Sequence, residues 1–346
     1  MNPERQEPTR RALFRAAGLG VGAAVAVEAA PGRALAAAAA IATPSAPLWT
    51  REYWAKRGKV SLYLYRKRRS APDAGAAPLP VLLLAHGSSV SSRPSFDLSV
   101  QGAGEYSLMN VFAHLGYDVW TLDFAGYGRS SATEGNSDIA TGVEDLRAAT
   151  ALIAQETGAR RLHLFGESSG GLRAGAFAMA EPDRIGRLVF AAFTYTGQGS
   201  PTLKDRAKQV EFFRTHNRRT RDLAMIRSIF TRDKPGTSDP RVAEAIAAAE
   251  LPFGDTVPTG TYLDMTANLP VVDPAKLKAP VMLVRGEHDG IASEADLLDF
   301  LHRLPNEDRQ YAVIPGAAHS LVWSLNRRGF WHVMHSFLTM PPHIAV

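Results

Sequence analysis

A serine in the segment 166–170, which reads GESSG, has the surroundings that a nucleophile requires. The apolar run Leu162–Phe165 leads into this segment, and a stretch rich in glycine and alanine begins at Ser169. A nucleophile on a strained turn between a strand and a helix needs small neighbours, because larger side chains would collide there. The pattern therefore predicts that Ser168 attacks a carbonyl carbon.

A base must lie near Ser168, because a serine hydroxyl is a weak nucleophile at neutral pH. His319 follows a short strand predicted at Gln310–Ile314, and the chain order serine, acid, histidine accompanies many GxSxG turns. We therefore predict that His319 is the general base. Four other histidines are alternatives, beside the acid or on helix faces: His288, His302, His332 and His335.

The imidazole of a general base needs a carboxylate that fixes its tautomer and stabilises its charged form. Asp289 follows the strand predicted at Val281–Val284 and lies between the serine and the histidine in the chain. We predict that Asp289 fills this role. Glu287 and Asp296 are the competing carboxylates, and their alternative places are a surface loop and the start of a helix.

Backbone amides must hold the negative charge that develops on a carbonyl oxygen during acyl transfer. The segment 86–89, HGSS, follows an apolar strand predicted at Val81–Ala85, and its glycine lets the backbone turn towards the nucleophile. We predict that the amides of Ser88 and Ser169 form this oxyanion hole. His86 is expected to hold the loop in place rather than to transfer protons.

The elements that position these residues can be read from the apolar pattern. Short apolar runs without alternation indicate strands covered on both faces, and they lie at Val81–Ala85, Tyr117–Leu122, Arg161–Phe165, Leu188–Phe193 and Val281–Val284. Helical segments alternate with them, at Ser107–Leu115, Val143–Glu156, Ser169–Ala180, Glu294–Leu304 and Leu325–Leu338. This alternation predicts an α/β fold with a mostly parallel, doubly wound sheet. The alternating polarity of Lys59–Arg66 predicts an antiparallel edge strand.

The strand and helix alternation stops between about Tyr195 and Lys276. Helices predicted near 204–214, 221–230 and 241–249 are joined there by turns rich in proline and glycine. We expect this part to be a helical cap inserted into the sheet domain. The predicted bounds are 37–47 for an Ala/Pro linker, 48–195 and 276–346 for the core, and 196–275 for the cap.

Residues 1–36 resemble a twin-arginine export signal. Arg10 and Arg11 precede a Gly/Ala-rich apolar stretch at 16–27, and the segment 34–36, ALA, offers a small-residue cleavage site. We predict that this signal is removed and that the mature protein is periplasmic or secreted, without stable insertion in a membrane. The apolar stretch is too short, and too often interrupted by glycine, to span a bilayer. A disordered cytosolic tail or a membrane anchor is the alternative.

Composition narrows the function classes. The 346 residues include no cysteine, which excludes disulfides, thiolate metal sites and a cysteine nucleophile. The formal net charge of +5 is modest, and the arginine-rich stretches at 66–69 and 218–221 lack interleaved aromatic residues, so no nucleic-acid partner is expected. The proposed chemistry needs no metal and no organic cofactor. The sequence indicates no oligomeric state.

The motifs and elements together resemble those of the α/β-hydrolase superfamily, over nearly all of the chain from about Lys59. The segment 123–130, DFAGYGRS, is similar to that superfamily's DxxGxGxS turn. The resemblance implies an α/β-hydrolase fold in which the inserted cap is a lid over the active site. The serine at position 168 differs from the aspartate that the superfamily's epoxide hydrolases and haloalkane dehalogenases use there, so their chemistries are not expected.

The predicted activity is hydrolysis of a small-molecule carboxylic ester or lactone by acyl transfer through Ser168. Hydrolysis of amides, carbamates or carbon–carbon bonds is the alternative, and a non-catalytic binding protein is an alternative of a different class. Aromatic residues predicted to line the substrate pocket, or to pack between cap and core, are Phe96, Tyr106, Phe212, Phe213, Phe230, Phe253 and Tyr262.

Overall fold

An eight-stranded sheet is the centre of the part that the computed structural model describes, residues 47–73, 75 and 77–341. The strands of this sheet and of a smaller one are β1 Trp49–Arg57, β2 Val60–Arg68, β3 Val81–Ala85, β4 Asp118–Leu122, β5 Leu162–Glu167, β6 Ile185–Ala191, β7 Arg218–Thr220, β8 Thr256–Pro258, β9 Val281–Gly286 and β10 Arg309–Ile314. The large sheet has the order β1-β2-β4-β3-β5-β6-β9-β10. Its β1-β2 and β2-β4 pairs are antiparallel, and its other neighbouring pairs are parallel.

Helices flank the sheet and connect its strands. They are α1 Ser92–Phe96, α2 Leu108–His114, α3 Ile139–Thr157, α4 Ser169–Ala180, α5 Pro201–Arg206, α6 Val210–Thr215, α7 Leu223–Thr231, α8 Arg241–Glu250, α9 Gly260–Ala267, α10 Glu294–His302 and α11 Arg327–Leu338. Helix α3 begins at the capping carboxylate of Asp138, ends at Gly158 with a φ of 70°, and packs against α4. The predicted α/β fold class, with a mostly parallel sheet, is confirmed.

Strands β3 and β4 lie in the middle of the sheet, and every one of their residues is buried. Their apolar runs show no alternation, because side chains on both faces of the sheet are covered. The loops at 86–89 and 123–130 follow the carboxyl ends of these two strands. Burial of the strands therefore anchors both loops at one edge of the sheet.

The strand predicted at Lys59–Arg66 is antiparallel to its neighbours, as expected, but it is not an edge strand, because β1 lies outside β2 and pairs along its length. Tyr63, on the more polar side of that alternation, is fully buried. Its hydroxyl donates to Glu52 at 3.1 Å, and the guanidinium of Arg129 lies 4.4 Å from its ring centroid. The alternation in β2 therefore reflects aromatic side chains covered by charged neighbours rather than a solvated face.

Between β6 and β9 the chain forms helices α5 to α9 and the short antiparallel pair β7-β8. The helix predicted near 204–214 is divided by a 3₁₀ turn at Ala207–Gln209, whereas those predicted near 221–230 and 241–249 correspond to α7 and α8. The strands β7 and β8 and the helix α9 have no counterpart in the sequence predictions. The domain bounds given above stay predictions.

A buried carboxylate joins this inserted segment to the core. Glu250, at the end of α8, accepts a hydrogen bond from the Ser91 amide at 3.2 Å and another from the Ser91 hydroxyl at 2.6 Å. Arg221 forms an ion pair with the same carboxylate. Such a buried, fully bonded group fixes the inserted segment against the loop that follows β3.

The predicted export signal at 1–36 lies outside the described residues, as does the linker apart from residue 47. Among the helices that the structure does describe, none is long and apolar enough to span a membrane. Over the same residues, no group of three or more histidine, aspartate or glutamate side chains is placed to hold a metal ion.

Candidate active site

Ser168 occupies the turn between β5 and α4, in a backbone conformation that few residues other than glycine adopt. Its φ is 53° and its ψ is −122°, which costs free energy unless the surroundings enforce it. The Ser168 amide donates to the carbonyl of Ala191 at 2.8 Å, and the Ser168 carbonyl accepts from the Gly171 amide at 2.9 Å. These two bonds hold the strained turn in place.

Two glycines allow the turn at Ser168 to close. A Cβ atom at Gly166 would lie 2.4 Å from the carbonyl oxygen of Gly170, and one at Gly170 would lie 2.2 Å from the carbonyl oxygen of Ala85. Real Cβ atoms do not approach backbone so closely, so a side chain at either position would push β3, β5 and α4 apart. The small residues of GESSG are therefore required by the packing of the turn, as the sequence suggested.

The imidazole of His319 lies between the hydroxyl of Ser168 and the carboxylate of Asp289. Its Nε2 atom is 3.0 Å from Ser168 Oγ, and its Nδ1 atom is 2.9 Å from Asp289 Oδ1. With Nδ1 protonated and donating to Asp289, Nε2 is left to accept the proton of the serine hydroxyl. The arrangement can therefore activate Ser168 as a nucleophile.

The surroundings of Asp289 keep its carboxylate ionised. Burial raises the pKa of Asp289, but His319 and the backbone amides of Ile291 and Ala292 lower it by more, so it lies below its ordinary value. The two amides donate to Oδ1 at 2.8 and 3.0 Å. Among the described residues, Oδ2 has no protein partner. Asp289 is therefore negatively charged at neutral pH and can stabilise positive charge on the imidazole.

The competing side chains make other contacts. Asp296 accepts hydrogen bonds from the backbone amides of residues 195–197 at 2.9–3.1 Å. Glu287 accepts from the Gly316 amide at 2.8 Å, and His335 packs against two aromatic rings. The hydrogen bonds of the nucleophile and its base go to each other and to Asp289 instead.

Ser88, predicted to supply an oxyanion amide, is fixed beside the nucleophile turn by three contacts. Its hydroxyl donates to Ser169 Oγ at 2.7 Å and accepts from the Thr261 hydroxyl at 2.8 Å. Its carbonyl accepts from the Tyr127 hydroxyl at 3.0 Å. Within the described residues, neither the Ser88 amide nor the Ser169 amide donates to a protein acceptor. Both amides are therefore available to an oxyanion.

His86 fastens the loop that carries Ser88. Its Nδ1 atom lies 2.8 Å from the Gly87 carbonyl oxygen, and its Nε2 atom accepts from the Phe124 amide at 3.2 Å. Burial, and then the positive charge of Arg173, lower the pKa of His86 to about 3. His86 is therefore neutral at physiological pH and connects the turns that follow β3 and β4.

A small cavity of about 50 Å³ lies next to Ser168. A pocket for a drug-sized ligand is several times larger, so this cavity has room for a short acyl group. Both the core and the inserted segment contribute to it. Its walls are Gly87, Ser88, Ser89, Val90, Ser95, Glu167, Ser168, Ile291, His319, Ser320 and Trp323 from the core, and Arg206, Ile229, Arg232 and Tyr262 from the inserted segment.

Phe96 and Tyr106, two of the predicted pocket residues, lie away from this cavity. Phe96 is buried in the core with its ring 5.7 Å from that of Phe165. The ring of Tyr106 is covered by the guanidinium of Arg327 at 3.4 Å. Both predictions are wrong for the cavity beside the serine, because long-range packing turns these rings into the core.

The other predicted aromatic residues divide between the cavity wall, its support and the surface. Tyr262 does line the cavity. Phe213 is buried behind it, with the two rings 5.6 Å apart, so Phe213 supports the wall rather than forming it. Phe212 is 39% exposed and stacks on His216, and it is not a pocket residue. The ring of Phe230 lies 5.6 Å from that of the wall residue Trp323. Phe253 is exposed at the surface.

Glu167, directly before the nucleophile, brings a buried carboxyl group to the cavity. Burial, together with the negative charge of Asp289, raises the pKa of Glu167 to about 8. The group is therefore mostly protonated at pH 7. Its only signal in the sequence is an acidic residue inside GESSG, because the burial of Glu167 depends on the whole fold.

A family model described as serine aminopeptidase, S33, matches residues 101–325, about two thirds of the chain. A curated relative is the 2-hydroxy-6-oxononadienedioate/2-hydroxy-6-oxononatrienedioate hydrolase of Paraburkholderia phymatum, 35% identical over 132 residues. That alignment covers 38% of this chain and 40% of the relative, so the chain matches less than half of the relative's length.

Solved structures share the fold at low sequence identity. E-2-(acetamidomethylene)succinate hydrolase superimposes with a TM-score of 0.61 at 17% identity, over 84% of this chain and all of that one. The 2-hydroxy-6-oxo-6-phenylhexa-2,4-dienoate hydrolase of Rhodococcus sp. strain RHA1 gives 0.59 at 14% identity, over 85% of this chain and all of that one. At such identities the likeness shows a common fold.

Proposed function

The chain belongs to the serine aminopeptidase S33 family of α/β-hydrolases, and we propose that it hydrolyses a small carboxylic ester or lactone by acyl transfer. The observation that carries the proposal is the hydrogen-bonded series from Ser168 through His319 to Asp289. A serine activated in this way attacks carbonyl carbon and forms a covalent acyl intermediate. The small cavity favours a compact acyl group.

In the acylation half of the proposed reaction, Ser168 Oγ attacks the carbonyl carbon while its proton passes to His319 Nε2. Negative charge then develops on the carbonyl oxygen, where the amides of Ser88 and Ser169 would bind it. The tetrahedral intermediate collapses as the protonated imidazole gives its proton to the leaving alkoxide. An alcohol departs, or the ring of a lactone opens, and the acyl group stays on Ser168.

In the deacylation half, water replaces the alcohol. His319 Nε2 takes a proton from the water as its oxygen attacks the acyl carbon, and the same two amides receive the new oxyanion. The intermediate collapses, Ser168 Oγ recovers the proton from His319, and the carboxylic acid leaves. Asp289 stays ionised throughout and stabilises the imidazolium in both halves.

The charges of the cavity favour an ester over the free amino terminus of a peptide. Arg206 and Arg232 line the cavity, and burial keeps Glu167 protonated at pH 7. A substrate ammonium group would therefore meet positive charge without a carboxylate to pair with. We expect alanine p-nitroanilide to be a poorer substrate than its N-acetylated form, and the opposite order would favour the aminopeptidase activity of the family's description.

Carbon–carbon bond hydrolysis is a second candidate, favoured by the match to the P. phymatum relative. The substrate in that relative's name is an oxo dioate without an ester, so its hydrolysis breaks a bond beside a ketone. The same serine and histidine can serve that reaction. Turnover of 2-hydroxy-6-oxononadienedioate by this protein, without turnover of short esters, would favour the second candidate over the first.

Labelling with a fluorophosphonate probe tests whether the serine is activated. The variants are Ser168→Ala and, as a control, Ser336→Ala, which removes an exposed hydroxyl on α11. We expect wild type and Ser336→Ala to be labelled and Ser168→Ala to be unlabelled. A p-nitrophenyl ester series should then show the highest kcat/KM for the shortest acyl chains. Labelling that survives in Ser168→Ala would contradict the assignment of the nucleophile.

We further propose that the protein is exported through the twin-arginine pathway. The support is the sequence pattern alone: Arg10 and Arg11, the apolar stretch at 16–27 and the small residues at 34–36. Replacing both arginines by lysine should leave the uncleaved protein inside the cell. Unchanged export of this variant would contradict the assignment.

A further inference from the structure

Arg206, at the end of α5, brings an uncompensated positive charge to the cavity beside Ser168. Within the described residues its guanidinium makes no ion pair and no hydrogen bond. It contacts the face of the Tyr262 ring, 5.1 Å from the centroid. Burial lowers the pKa of Arg206 to about 10, so the side chain is still protonated at neutral pH.

Two fully buried arginines show one way in which the protein compensates such a charge. Arg66 pairs with Asp118 at 2.5 Å, and Arg221 pairs with Glu250. A guanidinium removed from water without an anion is costly, and a partner carboxylate offsets that cost. Arg206 has no such partner in the described part of the chain, and it faces the cavity in which a substrate would bind.

The nearby carboxylate of Asp233 raises the pKa of Arg206 but makes no ion pair with it, because it pairs with Arg232. The guanidinium of Arg219 lies 4.8 Å from the centroid of the same Tyr262 ring and adds positive charge. Arg232, which also lines the cavity, pairs with Asp233 at 2.9 Å. The carboxyl group of Glu167 is protonated at pH 7. The region around the cavity therefore carries net positive charge.

We propose that Arg206 binds a carboxylate group of the substrate, so that the protein acts on small anionic carbonyl compounds. This inference rests on the proposed hydrolase function, because it assigns a substrate class to the same site. A guanidinium offers parallel N–H donors that match the two oxygens of a carboxylate. The cavity of about 50 Å³ favours a compact carboxylate over a bulkier phosphorylated or lipid ligand.

Matched pairs of esters separate charge from chain length. Monoethyl succinate and ethyl butyrate have acyl chains of the same length and differ by a carboxylate. The pair of 4-acetoxybutanoate and butyl acetate places the same difference on the alcohol side. We would measure kcat/KM on the full chain for wild type, Arg206→Gln, Arg206→Lys and Arg214→Gln. Arg214 lies on α6, outside the cavity, and its side chain is 56% exposed, which makes it the control.

In wild type, we expect the anionic ester to have the higher kcat/KM in at least one pair. Arg206→Gln should lower the ratio of anionic to neutral kcat/KM by roughly tenfold to a hundredfold. Arg206→Lys should recover part of the ratio, because it keeps the charge without the planar fork. Arg214→Gln should keep the wild-type ratio. An unchanged ratio in Arg206→Gln would overturn the proposal.

Binding of an anionic ester to Ser168→Ala tests the anion site without requiring hydrolysis, so it distinguishes failure of this inference from failure of the proposed function. Calorimetric titration of Ser168→Ala with monoethyl succinate should show binding that is weaker by roughly tenfold or more when Arg206→Gln is added. If this dependence holds but the wild type is not labelled by fluorophosphonate, the hydrolase function fails and the anion site stands. If labelling succeeds but binding does not depend on Arg206, the anion site alone is overturned.

Discussion

Glu167 and Asp289 are neighbouring carboxyl groups with opposite protonation states at pH 7. Burial and the charge of Asp289 raise the pKa of Glu167 to about 8, whereas the pKa of Asp289 lies below its ordinary value. The difference arises because Asp289 accepts hydrogen bonds from His319 and two backbone amides. Within the described residues, Glu167 accepts no hydrogen bond that would offset the cost of burying its charged form, so it keeps its proton. Asp289 therefore carries the one negative charge of the pair.

Replacing Glu167 by Gln should remove a pH dependence of the free energy of unfolding. An unfolded glutamate ionises near its ordinary pKa of 4.5 and the folded one near 8, so the folded state binds more protons between these values. The contribution of Glu167 to stability should therefore fall as the pH rises from 4.5 to 8. The shift corresponds to a change on the order of 5 kcal/mol.

Urea unfolding at the two ends of that pH range measures the effect. The change in unfolding free energy from pH 4.5 to pH 8 should be more favourable to the folded state in Glu167→Gln than in wild type, by the contribution that Glu167 loses over this range. Glu211→Gln, which alters an exposed side chain on α6, should behave like wild type. A Glu167→Gln variant with the full wild-type pH dependence would show that this carboxyl group is not protonated in the folded protein.

Asp289→Asn should lower kcat on a short ester by about a thousandfold or more, because the amide no longer fixes the imidazole tautomer or stabilises its charge. Glu287→Gln is the matched control, since Glu287 is a nearby carboxylate whose partners are the Gly316 amide and the His288 ring rather than His319. It should leave kcat within a few-fold of wild type. The reverse ranking of the two variants would assign the acid to Glu287.

Gly170→Ala should destabilise the protein, since the added methyl would lie 2.2 Å from the Ala85 carbonyl oxygen. We expect a loss of about 3 kcal/mol in the free energy of unfolding, together with loss of activity. Gly135→Ala is the control, because nothing lies within 4 Å of a Cβ atom there. Equal stability of the two variants in urea unfolding would contradict the steric account of the nucleophile turn.

His86 should contribute to acid unfolding. Its folded pKa of about 3 lies below the ordinary 6.5, so the unfolded state binds more protons between these values and stability falls as the pH drops from 6.5 to 3. The loss attributable to His86 is on the order of 5 kcal/mol. His163, whose burial lowers its pKa to about 4, should add a similar but smaller dependence.

His86→Gln tests this, because glutamine can still accept from the Phe124 amide but does not titrate. The variant should lose less stability than wild type on acidification, and His302→Gln, at an exposed position on α10, should lose as much as wild type. Reduced kcat in His86→Gln at neutral pH would show in addition that the ring positions the oxyanion loop. Wild-type acid sensitivity in His86→Gln would contradict a buried neutral histidine.

The nucleophile turn could be predicted because its small residues and the strand before it are adjacent in the sequence. Gly166 and Gly170 flank Ser168, and the apolar run before them identifies the strand, although the atoms that exclude a Cβ at Gly170 belong to Ala85. The positions of Asp289 and His319 could be predicted because each follows the end of a parallel strand, and such ends meet at one edge of the sheet.

The cavity wall could not be predicted in the same way, because it depends on contacts between residues distant in the chain. Phe96 turns towards Phe165 and away from the cavity. Arg206 lines the cavity from the end of α5, and the helix predicted near 204–214 breaks directly after it, at Ala207–Gln209. In the sequence Arg206 is one of many surface-type arginines, and its lack of a carboxylate partner is visible only in the fold.

The most direct test of the central claim is rapid-quench mass spectrometry of the protein with p-nitrophenyl acetate. p-Nitrophenolate is a good leaving group, so acylation of Ser168 should be faster than deacylation. The protein should then release a burst of p-nitrophenol equal to the protein present, and the peptide that contains Ser168 should gain one acetyl group during the burst. Both signals should be absent in Ser168→Ala. Ester hydrolysis by wild type with no acetyl group on Ser168, or with the acetyl group on another residue, would contradict the account.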